Sequence, residues 1–241
     1  MIGICLLIKD ENEYLSEWLD WHFSAGVDHI YIYDNGSIEP VLNSIPKKYI
    51  NNCTVIDWSG PHSHTQIDSY THCLENYGAA YTWMGFIDTD EFIYIENNRS
   101  IPDYLNSLPS DTDGVVLRWV VYNANGHIKK TNEPVRKRFT QVATYPPHLL
   151  QCKCIIKPKY IKSMAAHGPI QVDSHQPHLV NSKGENVWSI YDSNITPEVA
   201  WIDHYFTRSL EEWQEKINRG SCDPLSFRHP DFFFDLNPEM R

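Results

Sequence analysis

The 241-residue sequence lacks any stretch approaching the roughly 20 consecutive apolar residues of a membrane-spanning helix. Internal repeats and low-complexity tracts are also absent, and no linker rich in glycine, serine or proline divides the chain. Residues 1–8 have neither the basic region nor the small-residue cleavage site of a signal peptide, so we expect them to form a strand. These absences predict one globular domain over residues 1–241, without a transmembrane segment.

Basic residues are comparatively few. The sequence has 20 lysines and arginines against 31 aspartates and glutamates, which gives a formal net charge of −11. This excess of negative charge argues against non-specific binding to nucleic acids or to anionic lipids, although it does not exclude a local basic patch.

The six cysteines show no spacing typical of a disulfide framework or of a zinc site. Several of them lie within apolar runs, so we expect reduced cysteines in the core of a cytoplasmic protein. They are Cys5, Cys53, Cys73, Cys152, Cys154 and Cys222.

Apolar strands and amphipathic helices alternate in the first part of the chain. Apolar residues within 14–23 recur every three or four positions, which predicts a helix. Asp10 or Asn12 is expected to cap its start, and Gly26 to end it. Further strands are predicted at 29–33, 54–58 and 83–87, with helices at 40–49 and 66–77. This alternation is typical of an α/β fold with parallel strands.

After residue 97 the pattern changes. A helix is predicted at 101–108, and strands at 114–122, 134–139 and 153–158. Ser209 to Glu212 is a capping box that opens a last helix, which Gly220 closes. We therefore expect a mixed central sheet within a single domain.

The segment 83–93 is the most informative in the sequence. Its apolar run predicts a buried strand, and three carboxylates follow it: Asp88, Asp90 and Glu91. Asp88 and Asp90 would repel each other at neutral pH unless a divalent metal ion, protons or a basic group lay between them. Open sites with oxygen ligands suit Mg²⁺ or Mn²⁺. The alternative interpretation is an acidic loop that only solvates the strand end.

Three predicted strand ends carry polar groups, at residues 9–11, 34–35 and 88–90. Parallel strands joined by right-handed helical crossovers place their carboxyl ends at one edge of the sheet, where open α/β sheets bind ligands. We therefore expect these three groups to line one site.

Residues spread along the chain resemble a known family. They are 9–11, Tyr14, Leu15, Glu17, Trp18, His22, 26–28, 33–35, Ser37, Trp83, 86–92, Trp119, Gly126, His127, Arg138, Phe139, Lys153, Pro158, His167, His204, Tyr205, Ser209, Lys216 and 234–237. In this order they resemble the glycosyltransferase family 92-like group of GT-A enzymes, which is related to family 2. Asp10 stands where asparagine is commoner, and 123–125 replaces a usual aromatic-glycine pair.

The resemblance implies a single GT-A domain, Rossmann-like, with residues 1–97 as its nucleotide-sugar half and 98–241 as its acceptor half. The implied activity is a metal-dependent inverting transfer of a sugar, such as galactose, from a UDP-sugar to a hydroxyl of a glycan or glycolipid. It further implies bacterial cell-surface polysaccharide synthesis, with peripheral association at a membrane.

The family also implies roles for the strand-end residues. Mn²⁺ or Mg²⁺ would bridge the donor diphosphate to the D-x-D motif, with Asp90 as the direct ligand. Asp88 would contact either the ribose or the metal ion through water, and His204 would complete the metal shell. The alternative for His204 is a core histidine beside Tyr205. The nucleotide sugar would contact Lys9, Glu11, Asp34, Asn35, Asp88, Thr89 and Asp90.

An inverting enzyme needs a base that takes the proton from the acceptor hydroxyl. Asp173 is the candidate that the family layout favours, with His167 and then His175 behind it. Trp119, Tyr122 and Trp188 are candidate stacking surfaces for sugar rings.

Two other functions share features of this sequence. A metal-dependent phosphatase also begins from a strand-end D-x-D, but its nucleophile belongs on the first strand, whereas three strands precede the motif here. A sugar-nucleotide or glycan-binding module without catalytic activity is the alternative that the sequence does not exclude.

Overall fold

The computed structural model describes residues 1–60, 62, 64–144, 151–172, 176–222 and 228–241. The predicted bases Asp173 and His175 lie outside these described residues. The strands are β1 (Ile2–Ile8), β2 (His29–Asp34), β3 (Cys53–Asp57), β4 (Trp83–Phe86), β5 (Glu91–Ile95), β6 (Gly114–Val121), β7 (Cys152–Ile156), β8 (Ile161–Met164), β9 (Pro169–Val172), β10 (Leu179–Val180), β11 (Asn186–Val187) and β12 (Ala200–His204). The α-helices are α1 (Asn12–Ser24), α2 (Thr65–Tyr77), α3 (Ile101–Ser107), α4 (Val135–Arg138), α5 (Leu210–Arg219) and α6 (Phe232–Leu236).

Within the described residues, the strands form a ten-stranded sheet and a separate β8-β9 pair. The main path runs β11-β10-β6-β7-β4-β1-β2-β3, and β12 joins β5 to β6 as a branch. Strands β3, β2, β1 and β4 are parallel, whereas β7 is antiparallel to both β4 and β6. The predicted α/β fold with a mixed central sheet is confirmed.

The parallel strands end together at one edge of the sheet. Ile8 pairs with Asp34, and Asp34 pairs with Asp57, while Phe86 lies opposite Cys5. The segments that follow β1, β2 and β4 therefore leave the sheet at the same edge, as the sequence predicted.

Helix α1 packs its apolar face on the sheet, with Leu15, Trp18 and Leu19 fully buried. Its predicted end is confirmed, since Gly26 has a positive φ of 100°, a conformation that favours glycine. The predicted caps at its start are wrong. Glu11 occupies the N-cap position without a side-chain cap, and the Asn12 amide instead donates to the carbonyl of Glu39 at 2.9 Å.

Two other predicted elements are wrong, and in both places a proline precedes the element that forms instead. Residues 40–49 form two 3₁₀ turns rather than a helix, each preceded by a proline, Pro40 or Pro46. Residues 134–139 contain the short helix α4 rather than a strand, again after a proline. Proline fixes φ near −65° and favours the first turn of a helix, while it cannot continue one.

The structure also shows the state of the cysteines and the character of the helices. All six cysteines are free thiols. Among the described residues, no helix combines the length and the apolar character that crossing a bilayer requires.

A buried ion pair fixes the last long helix to the rest of the fold. Ser209 and Glu212 form the predicted capping box at the start of α5. Glu212 also accepts two hydrogen bonds from Arg138, at 2.7 and 2.8 Å, and one from the Tyr14 hydroxyl at 2.8 Å. Burial raises the pKa of Glu212, but these hydrogen bonds outweigh it and lower the pKa to about 2.

We expect the Glu212 carboxylate to make the free energy of unfolding depend on pH. Its folded pKa of about 2 lies below the ordinary value of 4.5, so its contribution is complete above pH 4.5 and is lost as the pH falls through about 2. The shift corresponds to about 3 kcal/mol. Glu212→Gln should be less stable in chemical denaturation at pH 7, and its stability should fall less steeply between pH 4.5 and 2.

Glu215→Gln is the matched control, since this glutamate on the same helix is 53% exposed. Its stability should change by less than about 0.5 kcal/mol. Equal acid sensitivity of Glu212→Gln and the unsubstituted protein would contradict the assignment.

Candidate active site

A cleft of about 310 Å³ lies at the carboxyl edge of the parallel strands. It brings together many of the residues that the sequence singled out. Its lining includes Lys9, Glu11, Asn35, Gln66, Asp88, Thr89, Asp90, Trp119, His167, His204, Phe206, Lys216, Arg219 and Arg228. Asp34 is not among these lining residues. The cleft combines carboxylates with several cations, in a protein whose net charge is strongly negative.

The motif loop, residues 87–90, connects two different parts of the sheet. The apolar run ends as β4 at Phe86, and β5 begins at Glu91 in the branch next to β12. The indole N–H of Trp18 lies 3.0 Å from the carbonyl oxygen of Asp88 and 2.8 Å from that of Glu91. The buried Trp18 side chain thus holds together the two carbonyl groups of the turn.

His22 stabilises the start of β5, one helical turn after Trp18. Burial lowers the pKa of His22 to about 3, so the ring is neutral at physiological pH. Its Nδ1 donates to the Trp18 carbonyl at 2.9 Å, and its Nε2 accepts from the Ile93 N–H at 3.3 Å. His22, which the resemblance included, therefore has a structural role: it connects α1 to β5, the strand that follows the motif loop.

Asp88 is held in place by three donors. Its Oδ1 accepts from the Gln66 amide at 2.9 Å and from the Tyr70 hydroxyl at 3.0 Å, both on α2. Its Oδ2 accepts from Nζ of Lys153 at 2.8 Å, which comes from β7. The Asp88 side chain remains 32% exposed toward the cleft.

Lys153 is the buried counter-charge of Asp88 and Glu91. Its side chain is 1% exposed, and its Nζ lies 3.3 Å from Oε2 of Glu91 in addition to its bond with Asp88. Burial favours the neutral amine, but the two carboxylates outweigh it and raise the pKa of Lys153. Burial raises the pKa of Glu91 to about 8, with Lys153 opposing this shift and the charges of Asp88 and Asp90 adding to it. Glu91 also accepts from the Asp88 N–H at 2.9 Å, so it helps to orient the loop.

Asp90 is more deeply buried than Asp88. Its Oδ2 accepts a hydrogen bond from Nζ of Lys216 on α5, and its Oδ1 lies 3.5 Å from Nε2 of His204. Although burial disfavours the charged form, Lys216 and His204 hold the pKa of Asp90 well below its usual range. The backbone of the next segment is also fixed, because the Tyr205 N–H donates to the Asp90 carbonyl at 2.8 Å.

His204 reaches the motif through strand pairing, since β12 and β5 are antiparallel with His204 opposite Glu91. Burial lowers its pKa, although the Asp90 charge opposes this, so the imidazole is neutral at pH 7. Its Nδ1 is buried and has no hydrogen-bond partner among the described residues. A neutral imidazole beside a carboxylate is suited to a metal ion.

Glu11 lies in the cleft wall but is already paired. Its Oε2 accepts from Arg208 at 2.7 Å and from the Thr89 hydroxyl at 2.9 Å, and its Oε1 accepts from Arg219 at 2.6 Å. Burial raises its pKa, but the two arginines outweigh this and lower it to about 2. Glu11 therefore connects β1, the motif loop and α5.

The two remaining strand ends differ from each other. Lys9 and Asn35 both border the cleft; Lys9 is exposed, and Asn35 is partly buried. The Asp34 carboxylate accepts from the backbone N–H groups of Ser37 and Val41, at 2.9 and 3.3 Å, and so it stabilises the turn after β2. This is the turn-forming role typical of aspartate.

His167 borders the cleft on the side of the second half of the chain. Its Nδ1 donates to the Cys152 carbonyl at 2.9 Å, which leaves Nε2 as the nitrogen with a lone pair. Burial lowers its pKa, and the nearby charge of Lys153 adds to this effect. His167 is therefore neutral at pH 7 and able to accept a proton.

The three candidate stacking residues lie in different places. Trp119 borders the cleft, with its ring 4.1 Å from that of His204. Tyr122 stacks on Tyr205 at 4.8 Å and donates to Asp203, so it is part of the packing. Trp188 is 84% exposed beside a separate groove.

A divalent ion fits one part of this site. Among the described residues, no three His, Cys, Asp or Glu side chains are arranged so that they could hold a metal ion. Asp90 and His204 nevertheless present an oxygen and a nitrogen within 3.5 Å of each other, at the border of the cleft. Mn²⁺ and Mg²⁺ usually keep water or substrate phosphate in several positions, so two protein ligands suffice for such an ion.

Sequence reasoning gave no role to the cations that neutralise the motif. Lys153 stands in the otherwise apolar strand Cys152–Ile156, and a lysine is rarely buried unless it is paired, so its position could have indicated a buried carboxylate partner. Lys216 lies on α5, over 120 residues from the motif, and no local pattern predicts that it reaches Asp90.

We expect Trp18→Phe to destabilise the protein by about 2–4 kcal/mol, because two buried carbonyls lose their donor and a small cavity remains. Chemical denaturation measures this loss. Trp188→Phe is the matched control on an exposed tryptophan and should cost less than about 0.5 kcal/mol. Similar effects of the two substitutions would show that the Trp18 N–H does not support the motif loop.

Known proteins resemble all or part of this chain. Residues 2–228 match the sequence model of glycosyltransferase family 92. A family 92 protein of Oryza sativa subsp. japonica is 26% identical over 236 residues, which cover 91% of this chain and 38% of that protein. A galactan β-1,4-galactosyltransferase of Arabidopsis thaliana is 31% identical over 104 residues, 39% of this chain and 20% of that protein.

Among solved structures, residues 1–349 of S. aureus TarS are similar, with a TM-score of 0.41 and 14% identity over 65% of this chain and 47% of that one. The chain spans about two fifths of the length of the rice relative. The resemblance seen in the sequence is confirmed by the match over residues 2–228, and the chain belongs to glycosyltransferase family 92.

Proposed function

We propose that this chain is a metal-dependent inverting glycosyltransferase that moves a sugar from a UDP-sugar to a hydroxyl of a glycan. The observation that carries the proposal is a single cleft that holds both the acidic motif and a set of cations, at the carboxyl edge of the parallel strands. The cations are Lys9, Lys216, Arg219 and Arg228, and they line the same cleft as Asp88 and Asp90. Family membership supports a sugar-nucleotide donor over a phosphate ester.

The charges of the cleft are complementary to a nucleoside diphosphate. Lysines and arginines bind phosphate oxygens through charge-assisted hydrogen bonds. A carboxylate motif alone would repel the diphosphate, so a cation between them is required. Asp90 and His204 would hold Mn²⁺ or Mg²⁺, with Asp88 oriented beside them by Lys153. The ion would stabilise the negative charge that develops on the departing diphosphate.

The proton of the acceptor hydroxyl needs a base on the opposite side from the leaving group. His167 borders the cleft, is neutral at pH 7 and has its Nε2 lone pair available. The bond from Nδ1 to the Cys152 carbonyl fixes the tautomer and the ring. We assign His167 as the base among the described residues, with Asp173 as the alternative that the family layout favours.

The family relatives inform the choice of sugar and acceptor. A galactan galactosyltransferase is among the similar proteins, so galactose as donor sugar and a glycan as acceptor belong to this proposal. A glycolipid acceptor, the bacterial cell-surface pathway, peripheral membrane association and a cytoplasmic location stay predictions, because the relatives from Oryza sativa and Arabidopsis thaliana are plant proteins.

Incubation with a panel of UDP-sugars and Mn²⁺, with and without glycan acceptors, should release UDP in an acceptor-dependent manner. A binding module without catalytic activity would show a higher melting temperature with UDP and release none. Asp90→Asn should weaken UDP binding in Mn²⁺ at least about tenfold. Asp111→Asn, on an aspartate whose side chain is 76% exposed, is the matched control and should bind UDP normally. Unchanged affinity in Asp90→Asn would refute the role of this aspartate.

Substitution of the base should affect turnover rather than donor binding. We expect His167→Asn to lower kcat by about 10²–10⁴-fold, the usual contribution of a general base, with UDP affinity unchanged. Asp173→Asn, assayed in parallel, distinguishes the two candidates. Full activity of His167→Asn together with loss in Asp173→Asn would assign the base to Asp173.

A further inference from the structure

The ammonium group of Lys216 contacts Oδ2 of Asp90, the carboxylate whose other oxygen, Oδ1, faces His204. Its Nζ donates to Oδ2 of Asp90 and to the carbonyl oxygen of Phe206, the latter at 2.9 Å. The Lys216 and Asp90 side chains are 9% and 8% exposed. Because little water screens this contact, the two charges interact strongly. The charge of Asp90 is therefore neutralised by a cation that the chain itself supplies.

This contact opposes the binding of a divalent ion at the same carboxylate. A dication at Asp90 and an ammonium group on the same carboxylate repel each other, so the two cations compete. Lys216 also borders the cleft, together with Arg219 and Arg228. Under the proposed function the donor diphosphate lies there, and it offers a displaced ammonium group a new partner of opposite charge.

The surroundings of Lys216 allow its side chain to change partners while its backbone stays in place. Its carbonyl accepts a hydrogen bond from Arg228 at 3.2 Å, and the α5 helix continues past it to Arg219. Its Nζ lies 4.4 Å from the centroid of the Phe206 ring, a side chain that also borders the cleft. Lysine carries a compact charge on a flexible stem, which suits a movable contact.

Lys153 provides an internal comparison. It also pairs with the motif, but its side chain is 1% exposed and lies between two carboxylates, Asp88 and Glu91. The two lysines therefore differ in their access to a ligand. Lys153 is a fixed counter-charge, whereas Lys216 lies between the motif and the open cleft.

We propose that Lys216 is a displaceable counter-cation. It neutralises Asp90 when no donor is bound, and it transfers its hydrogen bond to a phosphate oxygen of the nucleoside diphosphate when a divalent metal ion binds at Asp90. This inference rests on the proposed function, since it needs both a metal ion at Asp90 and a diphosphate in the cleft. Lys216 is then a donor-binding residue whose position reports whether the metal site is filled.

The test measures two affinities by isothermal titration calorimetry, that for Mn²⁺ alone and that for UDP in excess Mn²⁺. Lys216→Met should bind Mn²⁺ about tenfold more tightly, a change of about 1.4 kcal/mol, because the competing charge is gone. It should bind UDP at least about tenfold more weakly, because the phosphate loses a partner. The two shifts have opposite directions.

Lys130→Met is the matched control. Lys130 pairs with Glu13 and Glu215, the latter also on α5, and it does not line the cleft. Both affinities should stay within about twofold of the unsubstituted protein. Lys216→Arg keeps the positive charge and should retain UDP binding, so it provides a second variant if Lys216→Met folds poorly.

Melting temperatures give an independent readout. In Lys216→Met the buried Asp90 lacks its counter-charge, so Mn²⁺ without nucleotide should raise the melting temperature of this variant more than that of the unsubstituted protein. An equal or smaller increase would overturn the proposal.

The remaining outcomes separate the inference from the proposed function. If Lys216→Met weakens both affinities together, or if Lys216→Arg loses UDP binding, Lys216 has a structural role and the exchange of partners is refuted. The proposed function survives that result as long as the unsubstituted protein binds UDP with Mn²⁺. If the unsubstituted protein binds no UDP in Mn²⁺, the proposed function fails, and the inference fails with it.

Discussion

The charge balance of the acidic loop is the constraint on which the site depends. Asp88, Asp90 and Glu91 would repel one another if all three were charged. The fold compensates with two lysines from distant parts of the chain and with burial that raises the pKa of Glu91 to about 8. Lys153 enters from β7 and Lys216 from α5. Both elements must be packed before the loop is neutral, so the loop acquires its geometry only as part of the complete fold. A mixed sheet that brings β7 next to β4 is thus a requirement of the motif.

The sequence predicted the elements whose causes are local. The periodicity of α1, the capping box at Ser209 and the apolar run of β4 each depend on neighbouring residues, and each is present. The strand ends gathered at one edge follow from the handedness of parallel connections. The helix predicted at 40–49 and the strand predicted at 134–139 were wrong because a proline precedes each turn that forms there. A pattern of apolar residues does not show how a proline changes the turn that follows it.

The site was predictable only in part, because its remaining contacts are long-range. Asp88, Asp90, His204 and His167, which the resemblance included, all border the cleft. Asp34 stabilises its own turn, and Glu11 is paired with two arginines, which no spacing in the sequence indicates. The resemblance included Trp18 and His22 without explaining them. Their hydrogen bonds show that these α1 residues hold the backbone of the motif loop and of β5 in place.

The position of the motif loop between two sheet segments has a mechanical consequence. Residues 87–90 leave β4 in the parallel region and enter β5 in the branch that pairs with β12. Asp88 is tied to α2 and β7, whereas Asp90 is tied to β12 and α5. Any sliding of the branch relative to the parallel strands would alter the separation of the two aspartates. The loop therefore couples movement of the C-terminal part of the chain to the geometry of the cleft.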